Sequence, residues 1–276
     1  MQGLGNDFIV IDAISQRLNP DDFLSLTQQL CDRRFGIGAD GIVWVLSSKT
    51  HDFQMRIFNS DGSEPQMCGN GIRCFAKFIY ENQLSDQTVF SIQTKAGPIL
   101  PGLLIKDGKV EAIEVDMGPP ILERGNIPIL GEKASEKVIE EELILQNQTF
   151  TYTGVSMGNP HAVLFVEDLK QIDIETLGPV CETHPLFPEK INTHFVQVLS
   201  PTEAVMVIWE RGAGETLACG TGACAVLVAG VLTGKLSRKA TLHLPGGDLI
   251  IEWQASDNHV LMTGPAETIY KGKISI

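Results

Sequence analysis

The sequence has no apolar run of the roughly 20 residues that a membrane-spanning helix needs. It opens on MQGLGNDF, which has neither the basic stretch nor the apolar stretch of a signal peptide. Positive charge is also in deficit, because 21 Lys and Arg stand against 34 Asp and Glu, a net charge of -13. Binding of nucleic-acid phosphates relies on Lys and Arg. We therefore expect a cytoplasmic protein, or one of the plastid stroma if a transit peptide has been removed, with neither a membrane nor a nucleic acid as partner.

Cysteine is scarce, with six residues in a chain of 276. That is too few for a disulfide-rich scaffold, so reduced thiols are expected. No C-x-x-C pair occurs, and the prediction is that the protein holds no structural metal. Glycine-rich dinucleotide loops, P-loops and H-E-x-x-H zinc motifs are missing as well, and no cofactor is expected. With 43% hydrophobic and 20% charged residues, the composition is that of a folded globular protein.

What the sequence does contain is an internal repeat. The segment GSEPQMCGNG (62–71) aligns with AGETLACGTG (213–222), at an offset of 219 - 68 = 151 residues. Gly5-Asn6 and Gly158-Asn159 each precede an apolar run at nearly the same offset. Because these landmarks keep their order in both halves, each half is predicted to fold on the same plan.

The repeat also predicts the domain organisation. We expect one domain over residues 1–118, a second over 119–264, and a C-terminal strand over 265–276 that returns to the first domain. Short β-rich runs bounded by Gly, Pro, Asn and Asp outnumber the helical patterns, which is typical of an α+β fold. The segments GIRCFAKFIYEN and GACAVLVAGVLTG are apolar on most faces, as buried helices are. Each domain is therefore predicted to be a curved, mostly antiparallel, barrel-like sheet around a central helix, and the two domains to be pseudo-symmetric.

A cysteine stands at the predicted start of each central helix, Cys68 in the first half and Cys219 in the second. The N-terminus of a helix carries partial positive charge and free N–H groups, which bind anions and lower the pKa of a thiol. If the equivalent helix ends meet at the interface between the domains, a bound carboxylate places its neighbouring carbon between two sulfurs. A thiolate can then remove a proton from one face while a thiol donates to the other, which inverts a stereocentre without a cofactor.

At these residues the sequence resembles the diaminopimelate epimerase family, whose members use no pyridoxal phosphate. The resemblance implies an isomerase that converts LL-diaminopimelate to the meso form in lysine biosynthesis, by two-base proton transfer between Cys68 and Cys219. A homodimer is also compatible with the resemblance. The matching blocks cover nearly the whole chain and are GLGNDFIVID (3–12), DRRFGIGADGIV (32–43), FNSDGSEPQMCGNGIRCFAKF (58–78), VSMGNPHAV (155–163), INTHFVQV (191–198) and WERGAGETLACGTGACA (209–225).

The resemblance also implies roles for the residues around the two cysteines. Backbone N–H groups would hold the carboxylate at the reacting carbon, namely those of Gly69, Asn70, Gly220 and Thr221. The other substrate-binding residues would be Asn6, Asn59, Asn159, Asn192, Glu210 and Arg211. Among these, Arg211 and the asparagines would bind the distal carboxylate, and Glu210 an ammonium group. His161 would support a cysteine or its loop without being a catalytic base. Many relatives have Gln where this chain has Gly41, so no substrate contact is carried over there.

Two other functions stay open at this point. The same two-cysteine chemistry could serve a proline or hydroxyproline racemase, although Arg211 and the asparagines suit a substrate with a second charged end. A protein of another class, a thiol redox or metal-binding protein, could use Cys68 and Cys219 as a pair. Proton exchange at the substrate α-carbon distinguishes these alternatives.

Overall fold

A computed structural model describes residues 1–65 and 68–274 of the chain. The chain divides into two compact units. The first comprises Met1–Asp116 together with the segment that begins at Thr263, and the second comprises Met117–Met262. Gln66 and Met67, which belong to the repeated segment 62–71, lie outside the described residues. No helix in the described part of the chain is long and apolar enough to cross a membrane.

The first unit holds a six-stranded sheet, a hairpin and three α-helices. The sheet has the order β1 (Gln2–Gly3), β2 (Asn6–Asp12), β3 (Gly41–Ser47), β4 (Phe53–Asn59), β5 (Ile92–Thr94) and β6 (Gly97–Ile99), and the hairpin is formed by β7 (Gly102–Lys106) and β8 (Lys109–Asp116). The helices are α1 (Ala13–Gln16), α2 (Thr27–Cys31) and α3 (Gly69–Glu81), and a 3-10 helix spans Pro20–Leu26.

The second unit holds a larger sheet and two α-helices. Its strands are β9 (Glu141–Leu145), β10 (Gln148–Ser156), β11 (Pro160–Phe165), β12 (Asn192–Ser200), β13 (Glu203–Glu210), β14 (Gly214–Glu215), β15 (Lys239–Leu244), β16 (Gly247–Trp253) and β17 (Val260–Gly264), the last of which leads back to the first unit. The strand order is β17-β16-β15-β13-β12-β11-β10-β9, and β14 pairs with β13. The helices are α4 (Ile174–Glu182) and α5 (Gly220–Leu232), with 3-10 helices at Arg124–Asn126 and Leu169–Gln171.

The two units repeat one plan. In the first, β2 and β3 are parallel, β3 and β4 antiparallel, and β4 and β5 parallel. In the second, β11 with β12, β12 with β13, and β13 with β15 repeat these directions in the same order. The helices α3 and α5, each of 13 residues, occupy the equivalent crossover connections. The predicted α+β class with two mostly antiparallel, related domains is confirmed, but neither sheet closes into a barrel in the part of the chain described.

Each repeated helix is the centre of its unit. Helix α3 packs against β1 to β4 and β8, and α5 packs against β10 to β12, β15 and β16. In α5 every residue from Gly222 to Gly230 is buried, as its uniformly apolar sequence predicts. Helix α3 differs because it also buries Arg73 and Lys77. Buried cations need acceptors, and Lys77 donates to Glu81 and to the Val110 carbonyl oxygen.

The predicted C-terminal strand over residues 265–276 is not formed between residues 265 and 274. The backbones of Glu267 and Gln2 exchange two hydrogen bonds of 2.8 Å, which is a single bridge. Beyond Glu267 the described residues pair with no strand, and both Ile269 and Tyr270 are exposed. Ser275 and Ile276 lie outside the described residues.

Candidate active site

In the first unit, Cys68 is the residue immediately before α3 and acts as its N-cap. Its backbone is extended, and its sulfur accepts a hydrogen bond of 3.3 Å from the Gly71 N–H. A Cβ at residue 71 would lie 3.5 Å from this sulfur and 3.0 Å from the Ile57 side chain. As the N-cap of α3, Cys68 therefore holds its thiol directly against the free N–H groups of a helix start.

The strand ends of the first unit bring predicted site residues towards Cys68. Asn6 begins β2, and its Oδ1 lies 3.9 Å from the Cys68 sulfur and 3.2 Å from Asn70 Nδ2. Asn59 ends β4 and is paired with Gly41, the first residue of β3. Gly41 also pairs with Phe8, so Asn59 lies at the same end of the strands as Asn6. The Asn59 side chain donates to the Ser63 hydroxyl at 3.0 Å. The structure thus joins Asn6, Asn70 and Cys68 directly, whereas Asn59 lies two strands away from Asn6, on β4.

In the second unit, Cys219 occupies the equivalent place before α5, but it is only 4% exposed. Its sulfur lies 3.5 Å from the Thr221 hydroxyl. Burial, followed by the negative charge of Glu210, raises the pKa of the Cys219 thiol well above its ordinary value, although Thr221 and the Gly222 N–H act in the opposite direction. The expectation of a lowered pKa is wrong for Cys219, because desolvation outweighs the helix N-terminus here.

The predicted residues Asn192, Glu210 and Arg211 lie at the ends of neighbouring strands. Glu210 ends β13 and accepts a hydrogen bond of 2.7 Å from the Thr216 hydroxyl. Asn192 begins β12 and is buried, with Nδ2 donating to the Pro160 carbonyl at 2.8 Å and Oδ1 accepting from the Arg211 N–H at 2.9 Å. Asn192 therefore holds the backbone that presents the exposed Arg211 side chain. One Arg211 nitrogen donates to a carbonyl oxygen at 2.9 Å.

His161 belongs to a chain of side chains that runs into the core of the second unit. The Asn159 amide oxygen lies 2.9 Å from His161 Nε2, and His161 Nδ1 lies 2.8 Å from His194 Nε2. Burial lowers the pKa of His161 well below its ordinary value and that of His194 to about 3, so both rings are neutral. Because an amide oxygen only accepts, His161 donates through Nε2 and accepts from His194 at Nδ1. Both nitrogens of His161 are thereby engaged, which fits a supporting role.

Two residues that hydrogen-bond to predicted site residues were not predicted from the sequence. His194 lies within β12 and is fully buried. The sequence signal for it is a histidine inside a strand that contains Phe195, Val196 and Val198. Asp40 precedes β3 and accepts from Asn6 Nδ2 at 2.6 Å. Both fall inside blocks that resemble the family, but their partners are distant along the chain. No group of three or more metal-binding side chains occurs among the described residues.

The sequence model of the family described as diaminopimelate epimerase matches residues 1–123 and 153–269. The chain belongs to the diaminopimelate epimerase family. A diaminopimelate epimerase from Methanococcus maripaludis is 51% identical over 277 residues, covering 100% of this chain and 98% of the relative. Another from Moorella thermoacetica is 52% identical over 272 residues, covering 99% and 96%. The predicted family and enzyme class, an isomerase, are confirmed.

Solved structures share the fold of this diaminopimelate epimerase family member at low identity. A hydroxyproline epimerase from Agrobacterium vitis superposes with a TM-score of 0.65 at 14% identity, covering 95% of this chain and 86% of that one. A phenazine biosynthesis protein of the PhzF family from Bacillus anthracis gives 0.64 at 15% identity, covering 96% and 91%. At such identities the likeness concerns the fold, which carries different functions on different sites.

Proposed function

We propose that the protein interconverts LL- and meso-diaminopimelate by proton transfer at one α-carbon, with Cys68 and Cys219 as the two acid/base groups and without pyridoxal phosphate. The observation that carries the proposal is the equivalent placement of the two thiols, each at the start of the central helix of a repeated unit. The choice of diaminopimelate as substrate follows from the names of relatives that are about 50% identical to this chain.

The chemistry requires the two sulfurs to reach opposite faces of one α-carbon when substrate is bound. One thiolate removes the α-proton, and the opposite thiol donates a proton to the other face. Burial and the charge of Glu210 raise the pKa of the Cys219 thiol, which favours its protonated form in the substrate-free enzyme. In the direction of reaction that starts from this form, Cys219 is the proton donor and Cys68 is the base. The reverse reaction exchanges these roles.

The carbanion formed at the α-carbon needs its charge held on the adjacent carboxylate. The first turns of α3 and α5 offer backbone N–H groups from Gly69, Asn70, Gly220 and Thr221 for this carboxylate. Preorganised donors of this kind stabilise developing charge without reorganisation during the reaction. In this proposal the carboxylate that these N–H groups would bind is also the group that accepts electron density.

The distal end of the substrate is itself an amino acid, and the polar residues predicted for the site would bind it. Arg211 would bind the distal carboxylate, since a guanidinium can grip a carboxylate through two hydrogen bonds. Glu210 would accept from an ammonium group. The remaining residues assigned to the pocket are Asn6, Asn59, Asn159 and Asn192. Proline and hydroxyproline have no second charged end, which makes a racemase for these substrates the weaker alternative.

Hydrogen exchange tests the proposal directly. The enzyme is incubated in heavy water with LL-diaminopimelate, meso-diaminopimelate, L-proline or trans-4-hydroxy-L-proline, without added cofactor, and deuterium at the α-carbon is measured by mass spectrometry. Incorporation into both diaminopimelate isomers with their interconversion is expected. Exchange with a proline substrate alone would favour the racemase, and no exchange with any substrate would refute two-base chemistry.

We also infer that the enzyme works in the cytoplasm with a small molecule as its partner. The relatives come from bacteria and archaea, which gives no support to a plastid location. A homodimer remains a prediction, and light scattering of the purified protein would show whether the particle has one or two times the 30.1 kDa mass of the chain.

A further inference from the structure

A continuous chain of polar side chains passes behind Cys68. It begins at Arg73 in α3, whose Nη2 donates to Asn70 Oδ1 at 2.9 Å. Asn70 Nδ2 donates to Asn6 Oδ1 at 3.2 Å, and Asn6 Nδ2 donates to an Asp40 carboxylate oxygen at 2.6 Å. Arg33 Nη2 closes the chain by donating to the other Asp40 oxygen at 2.7 Å.

The two ends of this chain determine the direction of every hydrogen bond within it. A guanidinium has only donors, so Arg73 must meet the oxygen of the Asn70 amide. An ionised carboxylate has only acceptors, so Asp40 must meet the nitrogen of the Asn6 amide. Neither amide can rotate by half a turn without setting two donors or two acceptors against each other. The Asn6 oxygen is consequently the atom that faces the Cys68 sulfur, at 3.9 Å.

We propose that Asp40 is a positioning residue for the epimerase reaction, which fixes the Asn6 amide so that its oxygen accepts a hydrogen bond from the protonated Cys68 thiol. The inference rests on the acid/base role proposed above for Cys68. It gives Cys68 two contacts of opposite effect, since the Gly71 N–H favours the thiolate and the Asn6 oxygen favours the thiol. A group that alternates between base and acid benefits from such a balance near the working pH.

The ion pair with Arg33 does not by itself explain Asp40, whose carboxylate also accepts from the Asp7 backbone N–H at 3.1 Å. The side chains of Arg33 and Asp40 are 58% and 41% exposed, and ion pairs in such places contribute little to folding. Asp7 accepts from the same Arg33 at 2.6 Å but makes no hydrogen bond to the Asn6 side chain that the structure records. Asp7 is therefore a matched control, because it shares the charge and the arginine with Asp40 but not the amide.

The test measures the pH dependence of Cys68 alkylation by iodoacetamide, followed by mass spectrometry of the Cys68 peptide in the full chain carrying Cys219→Ala. The titratable and charged groups linked to Cys68, to Cys74 beside it or to the polar chain include Arg73, Cys74 and Lys77 on α3, the Met1 ammonium group, Asp7, Arg33 and Asp40. Asp40→Ala removes both a charge and the acceptor for Asn6. Asp40→Asn removes the charge but keeps an oxygen for Asn6. Asp7→Asn removes a charge and one of the two acceptors for Arg33, and leaves the hydrogen bonds of the Asn6 side chain in place.

The expected result separates the hydrogen bond from the charge. With Asp40→Ala the Asn6 amide loses one of its two orienting hydrogen bonds and keeps only that from Asn70. The Asn6 oxygen is then held less firmly against the thiol, so the midpoint of Cys68 alkylation should fall by roughly half a pH unit more than with Asp7→Asn. Asp40→Asn should resemble Asp7→Asn. Equal midpoints for all three variants would overturn the proposal, because charge alone would then explain them.

A second variant keeps the test decisive if Asp40→Ala does not fold. Asn6→Ala removes the acceptor itself and should lower the alkylation midpoint by at least as much. Adding Asp40→Asn to it should bring only the shift seen with Asp7→Asn. An unchanged or raised midpoint in Asn6→Ala would refute the assignment. Because the Cys219→Ala background needs no epimerase activity, these outcomes are independent of the exchange experiment, which tests the proposed function.

Discussion

The buried rings of His161 and His194 share a hydrogen bond of 2.8 Å between Nδ1 and Nε2. Both rings are fully enclosed, and His194 Nδ1 has no partner among the described residues. Two neutral imidazoles in contact cannot both gain a proton without placing like charges side by side in the core. The pair is therefore sensitive to acid.

Acid should destabilise the protein through this histidine pair. The folded-state pKa of His194 is lowered from 6.5 to about 3, so its contribution to stability is complete above pH 6.5 and is lost as the pH falls from 6.5 towards 3. Each such histidine contributes a slope of up to about 1.4 kcal/mol per pH unit. Urea unfolding followed across this range should show a shallower slope for His194→Gln than for the wild type. Identical slopes would contradict the prediction.

Cys68→Ala and Cys219→Ala should each reduce epimerisation by at least 10²- to 10⁴-fold, on the order of a lost acid/base group. Deuterium exchange into diaminopimelate is the measurement. Cys74→Ala and Cys224→Ala are matched controls, because these thiols lie within the same two helices, are buried in the core, and should leave turnover largely unchanged. Full turnover in either of the first two variants would refute the two-base assignment.

Glu210→Gln should lower the pKa of Cys219, because it removes the negative charge that, after burial, contributes most to raising it. The pH midpoint of Cys219 alkylation, followed in a Cys68→Ala background, should move to lower pH. Glu215→Gln is the control, since Glu215 lies on β14 beside β13 and is exposed. Equal shifts in the two variants would show that the effect is not specific to Glu210.

Gly222→Ala should destabilise the protein, whereas Gly71→Ala at the equivalent position should not. A Cβ at residue 222 would lie 2.4 Å from His194 Cε1, in a ring held by His161. A Cβ at residue 71 meets the movable end of Ile57 at 3.0 Å. Ala otherwise favours a helix by up to about 1 kcal/mol over Gly. We expect a loss of about 1–3 kcal/mol for Gly222→Ala and a change below about 1 kcal/mol for Gly71→Ala in chemical denaturation.

The elements that could be predicted are those with a strong local signal. The apolar sequence of α5 predicts a buried helix, and the repeated Cys-Gly-x-Gly segment predicts where α3 and α5 begin. The run TVFSIQT (88–94), bounded by polar residues and glycine, also predicts a strand, but β5 covers only Ile92–Thr94. A strand needs a partner along its length, and Val89 makes only an isolated bridge. Sequence alternation does not contain that information.

The candidate site was predictable as far as single residues, but not as a network. Asn6 and Asp40 are 34 positions apart, and His161 and His194 are 33 apart, so only the paired strands bring them into contact. The protonation state of Cys219 depends on how completely it is buried, which helix position alone does not determine. The repeated Cys-Gly-x-Gly motif therefore predicted where the two thiols lie, but not the direction in which the pKa of Cys219 is shifted.

The segment from Thr263 onward has a consequence for how the chain is made. The second unit is continuous, so it can fold as soon as it leaves the ribosome. The first unit cannot make all of its contacts until residues 265–267 have been synthesised, because Gln2 pairs with Glu267 and Arg73 donates to the Pro265 carbonyl at 3.0 Å. The helix that follows Cys68 thus waits for a residue 192 positions beyond Arg73, and a nascent chain stalled before Thr263 would hold a complete unit around Cys219 and an unfinished one around Cys68.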